Sequence, residues 1–134
     1  MKQKIAGLDS IEWIILLTDH YDKSLEFYKE TLGLHLQREA LDEKFAQFQL
    51  KNNCYLAVYG RKEMEKLLGK KKAGRPGGAI YAFAETENVD KTAKELKAKG
   101  VTFIKEPFTQ SWGQRTAYFS DPDGHIWQIQ QWLK

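Results

Sequence analysis

The sequence predicts an α+β protein built from two copies of a βαβββ module. Three observations predict it. Glycine and turn residues break the chain near its midpoint, at Gly69 and Gly74-Arg75-Pro76-Gly77-Gly78. The same succession of apolar run and helical stretch stands on each side of that break. Both helical stretches stop at a glycine, Gly33 and Gly100, 67 residues apart in a chain of 134. A repeat of half the chain length with matching punctuation argues for an internal duplication.

The elements follow in order. Residues 11–18 (Ile-Glu-Trp-Ile-Ile-Leu-Leu-Thr) form an apolar run of strand length, and Asp19-His20-Tyr21-Asp22 turns the chain into a helix that runs to Leu32. Leu25, Tyr28 and Leu32 stand at i, i+3, i+7 and share a helical face. Three strands are expected next, Leu34–Glu39, Phe45–Leu50 and Cys54–Tyr59, with Asn52-Asn53 as the tight connection. The second half repeats the order. Residues 79–83 read as strand, Thr86-Glu87-Asn88 as helix entry, and Val89, Ala93 and Leu96 as one helical face. Strands over 102–105, 115–120 and 126–131 complete it. Asp121-Pro122-Asp123-Gly124 places Pro and Gly where a type I turn takes them. Glycine at each helix end suits a left-handed residue.

Composition bounds the function classes. With 42% hydrophobic and 29% charged residues, the chain can bury a core as one globular domain, 1–134, with modules 9–60 and 78–134 joined by a linker, 61–77. Cys54 is the only cysteine, which excludes an intrachain disulfide, and its apolar neighbours read as a buried thiol in a strand. Met1-Lys2-Gln3-Lys4 imitates the start of a signal peptide, but the apolar run Trp13–Leu17 is too short for one, and nothing is long enough to span a bilayer. The expected compartment is the cytoplasm. The net charge of +3 is concentrated: seven basic side chains between Arg61 and Arg75 against Glu63 and Glu65 give that stretch +5. It lacks interleaved aromatics, so it reads as a solvated segment, and no nucleic-acid partner is expected.

The residues Asp22-Lys23-Ser24-Leu25-Glu26-Phe27-Tyr28 followed by Leu32-Gly33-Leu34, with Asn88-Val89-Asp90, Leu96 to Val101, Trp112-Gly113-Gln114-Arg115 and Asp121-Pro122-Asp123-Gly124-His125, resemble the vicinal oxygen chelate superfamily. That superfamily includes glyoxalase I, extradiol dioxygenases and the fosfomycin- and bleomycin-resistance proteins. The resemblance covers nearly the whole chain. It implies that the modules form a curved mixed sheet around a concave cavity holding a substrate and, in the enzymes, a divalent metal such as Zn, Ni, Mn or Fe. It also implies a homodimer, for which a short helix over Glu63–Leu68 is a candidate contact.

The same resemblance allows the metal positions to be tested. Its last ligand is a Glu four residues after the Gly of Asp-Pro-Asp-Gly, and here that residue is Gln128. Its first lies eleven residues before the helix Ser, at Trp13, with Glu12 beside it; a one-residue slip of the strand would turn Glu12 inward instead. The remaining two fall near Leu56–Ala57 and near Ile80 or Tyr81. None is a His or a carboxylate, and His20, His35 and His125 are scattered. The expectation is no metal and no other cofactor.

Without a metal, the cavity reads as an aromatic and amide surface. Period-2 alternation puts Trp13, Ile15 and Leu17 inward on the first strand, and Ile126, Gln128 and Gln130 inward on the last, leaving Trp127 to pack under a helix. The expected ligand-binding residues are Trp13, Tyr59, Tyr81, Trp112, Arg115 and Gln128. The rings would stack on a planar ligand and Gln128 would orient it. Arg115 would take an acidic group by a bidentate contact, or else forms a structural ion pair. The competing reading of the aromatics is that they fill the space of the missing metal. The function expected is a small-molecule-binding protein; the alternative is a metal-dependent lyase, isomerase or dioxygenase.

Overall fold

A computed structural model describes residues 8, 10–75 and 77–133. The readings made at Met1-Lys2-Gln3-Lys4 and at Pro76 lie outside the described residues. The first module runs β1 (Trp13–Thr18), α1 (Tyr21–Glu26) continuing into a π-helical turn (Phe27–Thr31), β2 (His35–Ala40), β3 (Phe45–Gln49) and β4 (Tyr55–Gly60). Helix α2 (Arg61–Leu68) follows. The second module is β5 (Ile80–Ala82), α3 (Val89–Ala98), β6 (Phe103–Thr109), β7 (Gln114–Ser120) and β8 (Ile126–Trp132).

Each module makes one four-stranded mixed sheet, with orders β1-β4-β3-β2 and β5-β8-β7-β6. In each, the first strand pairs in parallel with the last and the remaining pairs are antiparallel. The two sheets are not closed into a barrel. No described helix is long and apolar enough to cross a membrane.

Local chemistry accounts for the boundaries. Gly33 (φ 71°) and Gly100 (φ 90°) take the left-handed conformation, and Leu34 N–H and Val101 N–H reach back to the Tyr28 and Leu96 carbonyls to close the helix ends. Asn52 (φ 60°) and Asn53 (φ 56°) form the tight β3–β4 hairpin, where positive φ at both positions matches strand twist. The Asn88 side chain caps α3 by accepting from Lys91 N–H at 3.0 Å. Cys54 is half-buried just ahead of β4, rather than inside a strand. Strand β6 extends to Thr109, four residues beyond the apolar run read from the sequence, because irregular pairing with β7 carries Pro107 and Phe108 along.

The core lies between the strands and the helices and is shared by both modules. Leu16, Phe48, Leu56 and Val58 from the first sheet meet Phe119, Trp127 and Ile129 from the second, with Tyr28 buried between them. The turn Asp121–His125 receives the first module at three points. Tyr28 Oη donates to Asp121 Oδ2 at 2.6 Å, Asp19 N–H donates to Asp123 Oδ1 at 2.9 Å, and His125 Nε2 lies 3.0 Å from the Leu17 carbonyl oxygen. Since a carbonyl only accepts, Nε2 of His125 carries the proton. Trp127 Nε1–H donates to Tyr28 Oη at 3.0 Å, so the phenol bridges an indole and a carboxylate. Burial first, and the Asp121 charge second, push the Tyr28 phenol far above its ordinary range, so it stays protonated. Tyr28→Phe keeps the shape but strands the Asp121 oxygen and the Trp127 N–H; urea unfolding should show a loss of roughly 2–4 kcal/mol.

Candidate functional site

Strand parity sorts the side chains into two faces. Leu16, Leu56, Val58, Phe119, Trp127 and Ile129 point toward the helices. The opposite, open face carries Trp13, Ile15 and Leu17 from β1, paired across to Tyr55, Ala57 and Tyr59 on β4, and then to Gln49, Gln47 and Phe45 on β3. In the second module it carries Ile80 and Ala82 from β5, Ile126, Gln128, Gln130 and Trp132 from β8, and Gln114, Thr116 and Tyr118 from β7.

The parallel pairs set an internal equivalence. Strand β1 begins against β4 at Trp13–Tyr55, and β5 begins against β8 at Ile80–Ile126. Trp13 therefore corresponds to Ile80, and, two residues along the last strand, Ala57 corresponds to Gln128. Trp13 and Gln128 are two of the positions at which the resemblance places metal ligands, and Ala57 and Ile80 fall within the other two, Leu56–Ala57 and Ile80 or Tyr81. Together they offer one donor, the neutral Gln128 amide oxygen, whereas zinc and iron sites converge three or four His, Cys or carboxylate ligands. The residues present do not fit such an ion. Glu12 stands ahead of β1, its carbonyl bonded to Tyr55 N–H at 2.7 Å, so the register that would turn its carboxylate inward is not adopted. Among the described residues, no three His, Cys, Asp or Glu side chains come together.

Four of the six residues singled out from the sequence belong to or border the open face. Trp13 stacks on Tyr55 with ring centroids 4.8 Å apart, and about a third of it is exposed. Tyr59 meets Phe45 edge-to-face at 5.4 Å and is half-buried. Gln128 is half-buried, with Nε2 3.4 Å from Gln130 Oε1. Trp112 precedes β7 in an exposed loop, its Nε1–H donating to Gln114 Oε1 at 3.1 Å.

The other two sit on the helix side. Tyr81 pairs across from Trp127 and packs on its indole at 5.3 Å. Arg115 lies one residue out of phase with Gln114 and Thr116, and its guanidinium holds Asp90 on α3 through Nε (2.6 Å) and Nη2 (2.8 Å). Of the two readings of Arg115, the structure shows the ion pair. Its hydrogen bonds hold the Asp90 carboxyl below the ordinary aspartate range.

The sequence reading missed an amide relay. On the first sheet Gln47 Nε2 donates to Gln37 Oε1, and Gln37 Nε2 donates to Gln49 Oε1 at 3.1 Å. On the second, Gln130 Oε1 accepts from Gln114 and Gln128, while its own Nε2 donates to the Phe83 carbonyl at 2.9 Å. The Gln47-x-Gln49 alternation was a visible signal for part of it. Gln37 joins only through the irregular β2–β3 pairing between Leu36 and Arg38. Between the free edges of β1 and β5 a cavity of about 480 Å³ opens, lined from both modules by Ile14, Leu50, Cys54, Ile80, Phe83 and Trp127.

Two duplicated βαβββ modules with this strand order define the class, and the chain belongs to the Glyoxalase/Bleomycin resistance protein/Dioxygenase superfamily, whose model matches residues 10–129. It is 32% identical over 124 residues to YraH, an uncharacterized protein of Bacillus subtilis (strain 168), covering 90% of this chain and 96% of that one. Among solved structures, it is similar to a glyoxalase/bleomycin resistance protein/dioxygenase from Nocardioides, with TM-score 0.81, 26% identity and coverage of 97% and 87% of the two chains. A glyoxalase-related enzyme from Fulvimarina pelagi matches with TM-score 0.80 and 26% identity over 92% and 88%. The lactoylglutathione lyase of Agrobacterium tumefaciens, 16% identical with TM-score 0.71 over 93% and 95%, shares the fold.

Because Arg115 holds the Asp90 carboxylate, Arg115→Gln returns the Asp90 carboxyl titration upward toward the ordinary aspartate range, as followed by carboxyl NMR. The sign follows from the depressed value: the pair's small stabilisation is present above the ordinary aspartate pKa and is lost as pH falls through the lowered one.

Proposed function

We propose that this chain is a small-molecule-binding protein that works without a catalytic metal, taking a planar or ring-bearing ligand on its open face. The observation that carries this reading is the identity of the four equivalent positions, Trp13, Ala57, Ile80 and Gln128. An indole, a methyl group and a butyl group in place of ligands remove the means of polarising a substrate oxygen, yet leave a surface on which a ring can stack and one amide can orient it. The Arg115–Asp90 pair turns the acidic-ligand version of this reading aside, since that guanidinium already holds a carboxylate on the far face.

Fluorescence tests the reading. Of the four tryptophans, Trp127 is buried under the helices and Trp13 is stacked at the site. A ring ligand should change emission in the native protein, and Trp13→Ala should remove most of that change; an undiminished response would place the ligand elsewhere. Purified protein should contain less than about a tenth of an equivalent of Zn, Ni, Mn or Fe. Stoichiometric metal would instead favour the metal-dependent lyase, isomerase or dioxygenase alternative.

We also propose that the protein is a homodimer. Helix α2 leaves Leu67 and Leu68 exposed, by 76% and 50%. Light scattering should give twice 15.6 kDa, and Leu67→Glu combined with Leu68→Glu should halve it. A doubled mass that survives the substitutions would move the contact off α2.

A further inference from the structure

The open face has a property that the loss of metal ligands alone does not require. It is uncharged across six of the eight strands. Every side chain that β1, β4, β3, β5, β8 and β7 turn outward is aliphatic, aromatic, hydroxyl or amide. In a chain that is 29% charged, this is a selective exclusion. Charge appears only on the outermost strands, where Arg38 of β2 lies 5.2 Å from the Phe45 ring and Lys105 of β6 lies 5.0 Å from the Phe108 ring.

The hydrogen bonds give the face a polarity without charge. In the first relay every donation runs from Gln47 through Gln37 to Gln49, which leaves the Gln49 Nε2 hydrogens to donate outward. In the second, Gln130 is used at both ends, which fixes it as a hub and leaves the Gln128 Oε1 to accept. One module offers a spare donor at Gln49, across from Tyr55 of the Trp13–Tyr55 stack, and the other a spare acceptor at Gln128.

We propose that the ligand is an uncharged ring compound whose edge carries hydroxyl or amide groups. This rests on the small-molecule reading above. A neutral ligand exchanges its water hydrogen bonds for those of the amides while its ring covers the indole. A carboxylate, phosphate or ammonium seated over these six strands, away from Arg38 and Lys105 at the border, meets no counter-charge and loses its hydration without return. A neutral sugar and a neutral heterocycle share this chemistry, and the experiment separates them.

The test titrates the full-length, ¹⁵N-labelled protein with two charge-matched sets, reading the Trp13 indole N–H and the Gln128 side-chain amide. The sugar set is N-acetylglucosamine, glucosamine and glucuronic acid; the heterocycle set is nicotinamide, 1-methylnicotinamide and nicotinic acid. In the responding set the neutral member should bind at least about tenfold more tightly than either charged one. Its Kd should change less than about twofold between ~50 mM and ~500 mM NaCl. Gln128→Glu, which places a lone carboxylate on the face, should weaken the neutral member about tenfold.

A charged member binding tightest, or neutral binding that collapses with salt, overturns the inference while leaving the binding function standing. Shifts from none of the six probes overturn it too. The Trp13 fluorescence screen then decides separately whether the binding function falls with it.

Discussion

The Tyr28 phenol is the buried polar link across the duplication, set within the core that both modules share. Tyr28 belongs to the helix of the first module, yet both partners of its hydroxyl, Asp121 and Trp127, belong to the second. The Asp121 carboxylate is itself fixed by its own turn, accepting from the Asp123 and His125 backbone N–H groups at 2.9 and 2.8 Å. A buried carboxylate satisfied on both oxygens is a rigid acceptor, and that rigidity passes through Tyr28 to α1. Arg61 works in the same direction from the other side: buried, it bonds Asp19 at 3.0 Å and the Ala73 carbonyl at 2.8 Å, fastening the segment after α2 to the end of β1. Two modules joined only by a chain segment would be free to reorient. Joined here, they keep β1 and β5 in one relation, and with them both halves of the open face.

That relation makes strand parity the currency of function. In each sheet a residue either packs under the helices or stands on the open face, and a shift of one position exchanges the two. Arg115 and Tyr81 show the effect. Each is adjacent in sequence to open-face residues and each is on the other side, spent on Asp90 and on Trp127.

Much of the fold was legible in the sequence because its carriers are local. Gly33 and Gly100 announce left-handed helix ends, Asp121-Pro122-Asp123-Gly124 announces its turn, and the apolar periods announce strand or helix without reference to partners. The strand order depends on pairing between segments far apart in sequence, which local patterns do not carry. The site was legible in part. Gln128 sits at a short, fixed distance from a recognisable turn, so its place on β8 could be counted. Arg115 could not be assigned that way, because its partner lies 25 residues back on α3 and only tertiary packing brings the two together. Gln37 was hidden by a strand irregularity that alternation cannot foresee.

The two faces also separate what stabilises the protein from what defines its chemistry. The clamp residues Tyr28, Asp121 and Trp127 are buried on the helix side, and none of them reaches the open face. On the open face Ala57, Phe45, Thr116 and Gln114 are buried by their neighbours, whereas Trp13, Ile15 and Ile80 remain substantially exposed. Substitutions at those three exposed positions cost little stability, whereas substitutions at the clamp strand a buried carboxylate or indole. A fold divided in this way can change its exposed open-face side chains without unfolding. The same division explains why Gln128→Glu alone would not rebuild a metal centre: it restores one carboxylate opposite an indole, a methyl and a butyl group, and a divalent ion gains too little from a single protein ligand to give up its water.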